Sequence, residues 1–440
     1  MPFITDKQTL DDLNVLGKYK NNSVFNLFNR TKTAGAERLL EQMFQHPLTD
    51  MKLINERSDV IRYFQGKRLV FPLDVQLLQT AEQYLAGAAG SNMLMTTVQT
   101  GRRKALKLLG LTVEHTLVTN GLSATIQVLA DIRTFVSRLL SEDPDGPFAA
   151  ELNMAAESFN SGKLDWLPAA KAKVTLSFFE TSRYDYLLRV ALRNEMEIIM
   201  KLVHLTDLYI SVSSVAQEKS FAYAEAVEET QDLLDINEGF HPCLNKAVPN
   251  SVKMDGNENV IFLTGANMAG KSTFMKSYGL CIYLAHMGFP VPAKSMVFSV
   301  KEGMYTSINV PDDINMGYSH FYAEVLRVKK IAEEVSAPKN LYIIFDELFK
   351  GTNVKDAYDA TLAVSEVFAT HRNCFFIIST HIVEVGEALA QRCDNIRFTY
   401  MPTEMRGKVP VYTYRAKEGI SSDRHGMMII ENEKILEIIG

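Results

Sequence analysis

The strongest constraint on the fold of this 440-residue chain is a glycine-rich stretch that directly follows a short apolar run. The apolar run spans residues 260–264. The stretch from Gly265 to Ser272 fits the pattern G-x-x-x-x-G-K-[ST], and a helical pattern begins at Phe274. Glycines in such a loop let successive backbone N–H groups and a helix N-terminus point at one anion. The order of strand, loop and helix therefore predicts a phosphate-binding loop in a parallel α/β sheet.

Two further apolar runs of five residues, 341–345 and 375–379, have the pattern of strands that are covered on both faces. Functional side chains gather where the strands of such a sheet end. Asp346 and Glu347 directly follow the first run, and His381 lies two residues after the second. We expect Asp346 to hold a metal ion, Glu347 to orient or deprotonate an attacking water, and His381 to reach the γ-phosphate of a nucleotide. Taken alone, the two acids also fit a strand that ends in solvated carboxylates, and His381 also fits a structural histidine.

The residues predicted to bind the phosphates lie in and directly after the loop: Gly265, Asn267, Met268, Ala269, Gly270, Lys271, Ser272 and Thr273. Lys271 is expected to place a cation at the β- and γ-phosphates, with a role in catalysis, and the Ser272 hydroxyl to ligate Mg²⁺. The alternative for the loop taken alone is a glycine-rich turn that binds nothing. The acidic pair downstream favours a nucleotide that is hydrolysed.

The spacing of apolar residues changes near residue 235. Helical spacing dominates residues 1–235, where apolar residues at intervals of three and four predict helices over residues 36–44 and 188–203. Residues 236–440 alternate strand-like runs with helical segments. The sequence thus predicts a multidomain α and α/β protein, with an all-helical domain followed by a domain that has a mostly parallel sheet.

Composition and charge exclude several classes of protein. With 47% hydrophobic and 22% charged residues the chain is too apolar to be disordered, and its four cysteines show no zinc-ligand spacing. The chain has no uninterrupted apolar stretch of about 18 residues and its N-terminus lacks a signal-peptide pattern, so a cytoplasmic protein outside the membrane is expected. The net charge of -6 argues against binding nucleic acid by bulk charge, but a local basic patch is compatible with it.

Several segments together resemble the MutS family of DNA mismatch-repair ATPases, whose ATPase domain belongs to the ATP-binding-cassette class. In the second half, the segments that carry the resemblance are residues 240–244, 248–250, 263–274, 312–321 and 346–352. In the first half, the segments similar to the helical core, or lever, domain of the family are residues 31–35, 38–40, 47–50, 206–208 and 213–216, with Arg57. The resemblance extends over nearly the whole chain.

The resemblance implies a dimer with two composite ATP sites. In the family, a signature segment of one subunit reaches the γ-phosphate bound by the other, and Gly317 and Ser319 stand at that place here. The family has an aromatic residue that stacks on adenine directly before the position of Val248, but Ala247 stands there in this chain. Tyr414 stands at the place of a second residue that stacks on adenine in the family. The implied ligands are ATP and Mg²⁺, and the implied assembly is a homodimer through the ATPase domains. From the residues alone, Ser319 also fits a helix N-cap, and Tyr414 fits ordinary strand packing.

The outline of the chain differs from that of a full-length MutS protein. The core-like segment begins by about residue 4, so no N-terminal mismatch-recognition or connector domain is expected. The stretch between the two ends of the core is also short, and it shows no clear counterpart of the clamp domain that grips DNA. The sequence is therefore similar to a short MutS-type paralogue.

Two classes of function stay open. In the first, the protein handles DNA, in mismatch repair or at a recombination-related DNA structure, with a slow ATPase that DNA or a repair-protein partner regulates. The candidate DNA contact is a basic cluster of Arg102, Arg103, Lys104 and Lys107. The alternative for this cluster is an ordinary solvated helix surface. In the second, the protein is an ATP-gated scaffold that docks a protein partner and binds no DNA. The complete set of predicted catalytic residues disfavours a protein that binds ATP without splitting it.

Overall fold

Two units divide the chain, and each is made of separate stretches of sequence. The sheet unit combines Met1–Phe28, Glu41–Ser58 and Val215–Gly440, and the helical unit combines Asn29–Leu40 and Asp59–Ser214. The computed structural model describes residues 2–17, 22–87, 90–109, 112–309, 320–406, 409–421 and 438–439. The domain limits predicted from composition, residues 1–235 and 236–440, stay a prediction.

The protein mixes helices and strands, as predicted, and the helices predominate. The α-helices are α1 (Lys7–Asp12), α2 (Val24–Phe28), α3 (Ala34–Gln45), α4 (Met51–Lys67), α5 (Val75–Ala86), α6 (Met93–Leu108), α7 (Val113–Glu142), α8 (Ala149–Asn160), α9 (Leu167–Lys171), α10 (Phe178–Tyr186), α11 (Arg193–Lys219), α12 (Lys271–His286), α13 (His320–Ser336), α14 (Val354–Ala369) and α15 (Val383–Arg392). The strands are β1 (Ala222–Tyr223), β2 (Glu225–Val227), β3 (Leu233–Gly239), β4 (Asn250–Asp255), β5 (Val260–Gly265), β6 (Pro290–Val291), β7 (Ser295–Ser299), β8 (Gly303–Ser307), β9 (Leu341–Phe345), β10 (Phe375–Ser379), β11 (Ile396–Met401), β12 (Thr403–Arg406), β13 (Val409–Tyr412) and β14 (Lys417–Glu418).

The main sheet of the sheet unit has six strands within the described residues, in the order β14-β11-β5-β10-β9-β8. Strands β11, β5, β10, β9 and β8 run parallel, and β14 pairs with β11 in the antiparallel direction. β10 lies between β5 and β9, with Ile377 in register with both Ile261 and Ile344. The three apolar runs predicted as strands are these three central strands, so that prediction is confirmed. Their carboxyl ends meet at one edge of the sheet.

Helices bury the central strands on both faces. Every residue of β5, β9 and β10 is buried. The same core contains Ile331 of α13, Phe368 of α14 and Leu389 of α15. Phe368 stacks on Phe345 of β9, with ring centroids 5.4 Å apart. An apolar run without alternation is the expected sequence for a strand that is covered in this way.

The N-terminal segment packs against β8, the edge strand of the main sheet. The backbone N–H of Thr306 donates to Oγ1 of Thr9 at 3.0 Å. The buried carboxylate of Asp12 accepts from the Thr306 hydroxyl at 2.7 Å and from the Ile308 N–H at 2.9 Å. The helical spacing of α1 gives no signal of this contact, because its partners lie almost 300 residues further along the chain.

A second sheet of the sheet unit, in the order β2-β7-β3-β4, packs near the helix that follows the glycine-rich loop. β3 and β4 are antiparallel, with Leu234 opposite Met254. The hydroxyl of Tyr278 on α12 lies 3.3 Å from the sulfur of Met254. Asn250, the first residue of β4, lines the same pocket as Gly270 and Thr273 at the start of α12.

The helical unit is built around long amphipathic helices. α7 buries Leu122, Ile126 and Leu129, which recur at intervals of three and four residues and form one apolar stripe. In the same unit the rings of Phe64 and Phe148 meet edge to face, with centroids 5.0 Å apart. The packing of this unit is therefore the helix-on-helix packing that the sequence pattern predicts.

The apolar stripe over residues 188–203 is not one regular helix. A π-helix at Leu187–Ala191 comes first, and the Leu192 N–H donates to the Leu187 carbonyl, five residues back, at 2.8 Å. α11 then begins at Arg193. The spacing of apolar residues does not distinguish a π-turn from an α-helical turn, so the sequence pattern misses this break.

α11 is long and apolar enough to cross a membrane on length and composition alone. However, 67% of its most apolar window is buried inside the protein, as expected of a helix that packs in a core. In the part of the chain that the structure describes, no other helix meets these two conditions. The cytoplasmic location stays a prediction.

Candidate functional site

The loop between β5 and α12 has a backbone conformation that its glycines permit. Gly265 and Gly270 have φ of +140° and +104°, a region that residues with a Cβ rarely adopt. A Cβ at Gly265 would lie 2.9 Å from the carbonyl oxygen of Met401 on the neighbouring strand β11. α12 begins directly after Gly270, so a helix N-terminus suited to an anion lies at the edge of the sheet.

The top of the loop is exposed. Asn267 is exposed, Met268 is 75% exposed, and Ala269 is buried below them. Met268 also has a positive φ of +69°. Positive φ is uncommon for a residue other than glycine, and backbone strain of this kind clusters at binding sites. The structure thus holds an apolar side chain in solvent beside the predicted phosphate-binding residues.

Lys271 is the buried cation of the loop. Its side chain is 5% exposed, and its ammonium group donates to the carbonyl oxygens of Gly265 at 2.8 Å and Ala266 at 3.3 Å. Its Nζ also lies 3.6 Å from Oε1 of Glu347. The charge is therefore held between the glycine-rich loop and the acidic pair that follows β9.

The two predicted metal ligands meet at the same place. Oγ of Ser272 donates to Oδ2 of Asp346 at 2.5 Å, and Oδ1 of Asp346 accepts from Oγ of Ser379 at 2.6 Å. Ser379 ends β10, the strand between β5 and β9. Sequence patterns give no signal for Ser379, because a serine at the end of an apolar strand belongs to no motif. Only the strand order places it beside Asp346.

Glu347 occupies a strained turn after β9. Its φ is +53°, and its N–H donates to both the carbonyl oxygen and the hydroxyl of Ser379 at 3.1 Å. These bonds hold a backbone conformation that is costly for a residue with a Cβ. The side chain of Glu347 is turned toward Lys271. His381 lies two residues beyond the end of β10, at the same edge of the sheet, and its side chain is exposed.

A pocket opens beside the loop. Its walls come from the start of α12, from β3, β4 and the segment that joins them, and from Tyr414. The lining includes Ala247, Val248, Asn250, Gly270, Thr273 and Tyr414. Burial, and after it the charge of Lys276, lowers the pKa of His241 in this lining, so its imidazole is neutral at pH 7. The pocket is therefore lined mainly by uncharged groups next to the cationic loop.

Tyr414 covers one side of this pocket and touches the loop. Its φ is +56°, and the residue is 46% exposed. A Cβ at Gly270 would lie 2.9 Å from Cδ1 of Tyr414, so the ring rests directly on the glycine. The structure thus brings Tyr414 together with the glycine-rich loop, from which it is distant in sequence.

Residues 310–319, which include most of the signature segment, lie outside the described residues. Gly317 and Ser319 both fall within residues 310–319, so their roles stay predictions. α13 follows this segment, and its Glu324 is 5% exposed, with Oε2 accepting from the backbone N–H of Gly351 at 3.4 Å. This bond joins the helix after the signature segment to the loop after the acidic pair.

The basic cluster lies on α6, in the helical unit, and its members have different surroundings. Arg102, Lys104 and Lys107 are exposed. The side chain of Arg103 is only 14% exposed, and its NH1 atom lies 3.6 Å from the carboxylate of Asp185, which is fully buried. Three of the four residues predicted to contact DNA are therefore exposed to solvent, whereas Arg103 lies beside Asp185 within the helical unit.

A parallel sheet that presents a glycine-rich loop, a helix N-terminus and an acidic pair at one edge is typical of the proteins that bind nucleotide phosphates. Comparison with known proteins narrows this class. Family models described as MutS domain III and MutS domain V match residues 8–216 and 261–439. The chain belongs to the MutS family.

The relatives of this chain include bacterial proteins named DNA mismatch repair protein MutS. The one from Leuconostoc mesenteroides is 26% identical over 489 residues, which cover 90% of this chain and 56% of the relative. The one from Pseudothermotoga lettingae is 24% identical over 515 residues, with 96% and 62% covered. The one from Bacillus subtilis is 30% identical over 210 residues, with 46% and 24% covered.

The chain thus spans 62% or less of the length of these three relatives. The two longer alignments extend over more residues than the 440 of this chain. This chain is therefore interrupted by gaps in both alignments. The two relatives have internal segments at those places that this chain lacks.

Proposed function

We propose that this protein binds and hydrolyses ATP with Mg²⁺ at the edge of the main sheet, and that ATP controls a dimer that acts on DNA. The observation that carries the ATPase proposal is the chain of hydrogen bonds from Ser272 to Asp346 to Ser379, next to Lys271 and Glu347. It joins the glycine-rich loop to the acidic pair and to the strand between them. Membership of the MutS family supports the same activity.

The phosphates of ATP bind the loop and the first turn of α12. The backbone from Gly265 to Thr273 supplies N–H groups, and the helix N-terminus adds a favourable dipole. Lys271 exchanges the carbonyl oxygens of Gly265 and Ala266 for phosphate oxygens, which are stronger acceptors because they are charged. The cation then lies where negative charge increases during phosphoryl transfer.

Ser272 and Asp346 fit a Mg²⁺ ion. Mg²⁺ prefers hard oxygen ligands, and here a hydroxyl oxygen and a carboxylate oxygen lie 2.5 Å apart beside the loop. A Mg²⁺ ion held by Ser272 and Asp346 would neutralise phosphate charge. Ser379 orients the carboxylate of Asp346 through its second oxygen, in the way that outer hydrogen bonds fix metal ligands.

Glu347 orients and deprotonates the water that attacks the γ-phosphate. Its backbone is fixed by Ser379, so the carboxylate has a defined position next to Lys271. His381, which is exposed at the same edge, hydrogen bonds with the γ-phosphate in this proposal. Catalysis in this scheme depends mainly on positioning and electrostatics, as is usual for phosphoryl transfer.

The adenine base occupies the pocket beside the loop, with the ring of Tyr414 against one face. The pocket lies next to Gly270 and Thr273, so a base there is continuous with phosphates on the loop. Ala247 and Val248 add small apolar walls, which suit a flat aromatic ring.

A homodimer through the ATPase domains completes each site. Gly317 and Ser319 of one subunit contact the γ-phosphate held by the other, so that ATP lies at the interface. ATP binding then favours one dimer geometry and hydrolysis releases it, which makes turnover slow and conformationally gated.

DNA is the proposed ligand of this dimer, with a repair protein as a further partner. The relatives are named DNA mismatch repair proteins, and Arg102, Lys104 and Lys107 present exposed positive charge for phosphates. An ATP-gated protein scaffold is the second candidate. It is favoured by the net charge of -6 and by the internal segments that two of the relatives have and this chain lacks.

The test is Mg-ATP hydrolysis by the purified protein, alone and with homoduplex, mismatched, branched and single-stranded DNA at several salt concentrations. Phosphate contacts weaken with salt, so a rate change that fades as salt increases supports DNA handling and identifies the preferred DNA form. Hydrolysis at a rate that no DNA changes supports the scaffold. No hydrolysis above that of a Lys271→Ala variant contradicts the proposed ATPase.

A further inference from the structure

Asn250, the first residue of β4, connects two segments of the chain beside the pocket. Its Nδ2 donates to the carbonyl oxygens of Tyr414 at 3.0 Å and Val248 at 3.2 Å. Its Oδ1 accepts from the backbone N–H of Ala416 at 2.7 Å. A side-chain amide supplies two N–H donors and an acceptor oxygen at once. An ionised carboxylate at the same position has no donor, and a hydroxyl has only one. Asn250 therefore holds residues 414–416 against the start of β4.

The residue held in this way is strained. Tyr414 has a φ of +56°, a left-handed conformation that a bulky side chain adopts only where its surroundings fix it. The bonds from Asn250 act on the carbonyl of Tyr414 and on the N–H two residues later. Beyond them, β14 fixes the chain by pairing Lys417 with Tyr400 of β11. The backbone on both sides of the strained residue is thus constrained.

The strained backbone determines where the Tyr414 ring lies. The ring rests on Gly270, because a Cβ added at that glycine would lie only 2.9 Å from Cδ1 of Tyr414. The same ring forms one wall of the pocket. Gly270 itself has a φ of +104°, so neither contact partner has an ordinary backbone conformation. Release of the 414–416 segment would let Tyr414 leave the left-handed region and withdraw its ring from the loop.

We propose that Asn250 is a positioning residue for the nucleobase. By holding the backbone at Tyr414 and Ala416, it keeps the Tyr414 ring over the pocket, and it thereby sets the affinity for ATP through the base. The phosphates do not depend on it, because the loop binds them through its own backbone and Lys271. The inference rests on the proposed function, since it requires that ATP binds with its base in this pocket.

The experiment compares two ligands, Mg-ATP and Mg-tripolyphosphate, by calorimetry on the full chain. Tripolyphosphate has no base, so it reports on the phosphate loop alone. The proteins are wild type, Asn250→Ala, Tyr414→Ala and the double variant. We expect Asn250→Ala to weaken ATP binding about tenfold, the scale of one aromatic contact with a base, and to leave tripolyphosphate binding as in wild type. The double variant should bind ATP no more weakly than Tyr414→Ala alone.

Asn250→Asp is the second variant, used if Asn250→Ala does not fold. Its carboxylate still accepts from the Ala416 N–H, but it faces the Tyr414 and Val248 carbonyls without a donor. The same selective loss of ATP affinity is expected.

The outcomes separate the inference from the proposed function. Equal losses for ATP and tripolyphosphate would overturn the inference, because Asn250 would then support the loop itself. Additive losses in the double variant would also overturn it, because Asn250 would not act through Tyr414. Wild-type protein that binds neither ligand would instead refute the proposed function, and the inference with it.

Discussion

The hydroxyl of Ser272 donates to the carboxylate of Asp346 at 2.5 Å, across 74 residues of sequence. Ser272 lies in the first turn of α12, and Asp346 directly follows β9. β10 separates β9 from β5, and Ser379 at its end holds the second oxygen of the same carboxylate. This hydrogen bond places a hydroxyl oxygen and a carboxylate oxygen beside the glycine-rich loop, where we propose that Mg²⁺ and phosphates bind.

Asp346→Asn is expected to reduce Mg-dependent ATP hydrolysis about 100-fold, because the amide keeps the size of the side chain but removes the charge that holds the ion. The measurement is the hydrolysis rate as a function of Mg²⁺ concentration. Asp359→Asn is the matched control, since Asp359 is an exposed carboxylate on α14. A normal rate in Asp346→Asn at low Mg²⁺ would contradict the assignment of the metal site.

Glu347→Gln is expected to bind ATP normally and to lose turnover by about 100-fold or more, the usual contribution of a general base. The amide keeps the shape of the side chain, and the backbone bonds from Glu347 to Ser379 do not involve it. Binding is measured by calorimetry and turnover by phosphate release. Unchanged turnover in this variant would remove Glu347 from the mechanism.

The basic cluster should divide into two kinds of residue. Charge reversal at Arg102 or Lys107, both exposed, is expected to weaken DNA binding and to lower its dependence on salt by about one phosphate contact each, with unchanged stability. Arg103→Ala is expected to lower the free energy of unfolding slightly, because the fully buried Asp185 loses one nearby cation and keeps its closer ion pair with Arg189. DNA titrations at several salt concentrations and urea unfolding test the two expectations. If no charge reversal changes the affinity for DNA, the result would favour the protein scaffold.

The stability of the protein should depend on pH through His286. This imidazole is buried at the end of α12, and burial lowers its pKa to about 4. Its Nε2 accepts from the Lys301 N–H at 3.3 Å, so the proton of the neutral ring is on Nδ1, 3.0 Å from the Ile282 carbonyl.

The sign follows from the two protonation states. The unfolded chain binds a proton at an ordinary pKa of about 6.5, whereas the folded protein does not. The free energy of unfolding therefore falls as the pH decreases from about 6.5 to about 4, by on the order of 3 kcal/mol. Urea unfolding at several pH values measures this slope. It should be shallower in His286→Gln and unchanged in His46→Gln, since His46 is exposed; equal slopes in the two variants would contradict the assignment.

Asp6 should anchor the N-terminal segment to α13. Burial raises the pKa of its carboxyl, but hydrogen bonds from Arg327 and Lys330 outweigh burial and hold that pKa well below its ordinary value. The side chain of Arg327 is 5% exposed, so Asp6→Ala leaves a buried cation without its partner, and a loss of about 3 kcal/mol in the free energy of unfolding is expected.

The lowered pKa of Asp6 also determines the pH range in which its ion pair contributes to the free energy of unfolding. It is complete above the pKa of about 4 that the carboxyl has in the unfolded chain, and it is lost as the pH falls further. Urea unfolding of wild type and Asp6→Ala at pH 7 and pH 3 should therefore show a smaller difference at pH 3. Asp11→Ala is the control, because Asp11 is exposed on the same helix. A difference between wild type and Asp6→Ala that does not shrink at pH 3 would contradict the ion pair.

The sequence predicts the central strands and the glycine-rich loop well because their signals are local. β5, β9 and β10 are apolar runs without alternation, and a strand buried on both faces requires such a run. Gly265 and Gly270 mark the loop because only glycine readily adopts the φ values found there. The π-helix at Leu187–Ala191 shows the limit of such signals, since apolar spacing is nearly the same for both kinds of turn.

The residues that complete the site have no local signal. Ser379 holds Asp346 only because β10 lies between the strands that carry the loop and the acidic pair. Asn250 contacts Tyr414 through a hydrogen bond across 164 residues of sequence. Neither contact belongs to a motif, because each depends on which chain segments are adjacent in space.

The sequence by itself determined the parts with short-range causes: the strands, the helices, the glycine-rich loop and the acids at a strand end. Tertiary structure alone decided how those parts meet. The strand order placed Ser272 beside Asp346, the second sheet placed Asn250 beside Tyr414, and the edge strand β8 received the N-terminal helix through Asp12. The physical reason is that periodicity and backbone preference act over a few residues. Hydrogen bonds between distant segments depend on the packing of the whole chain.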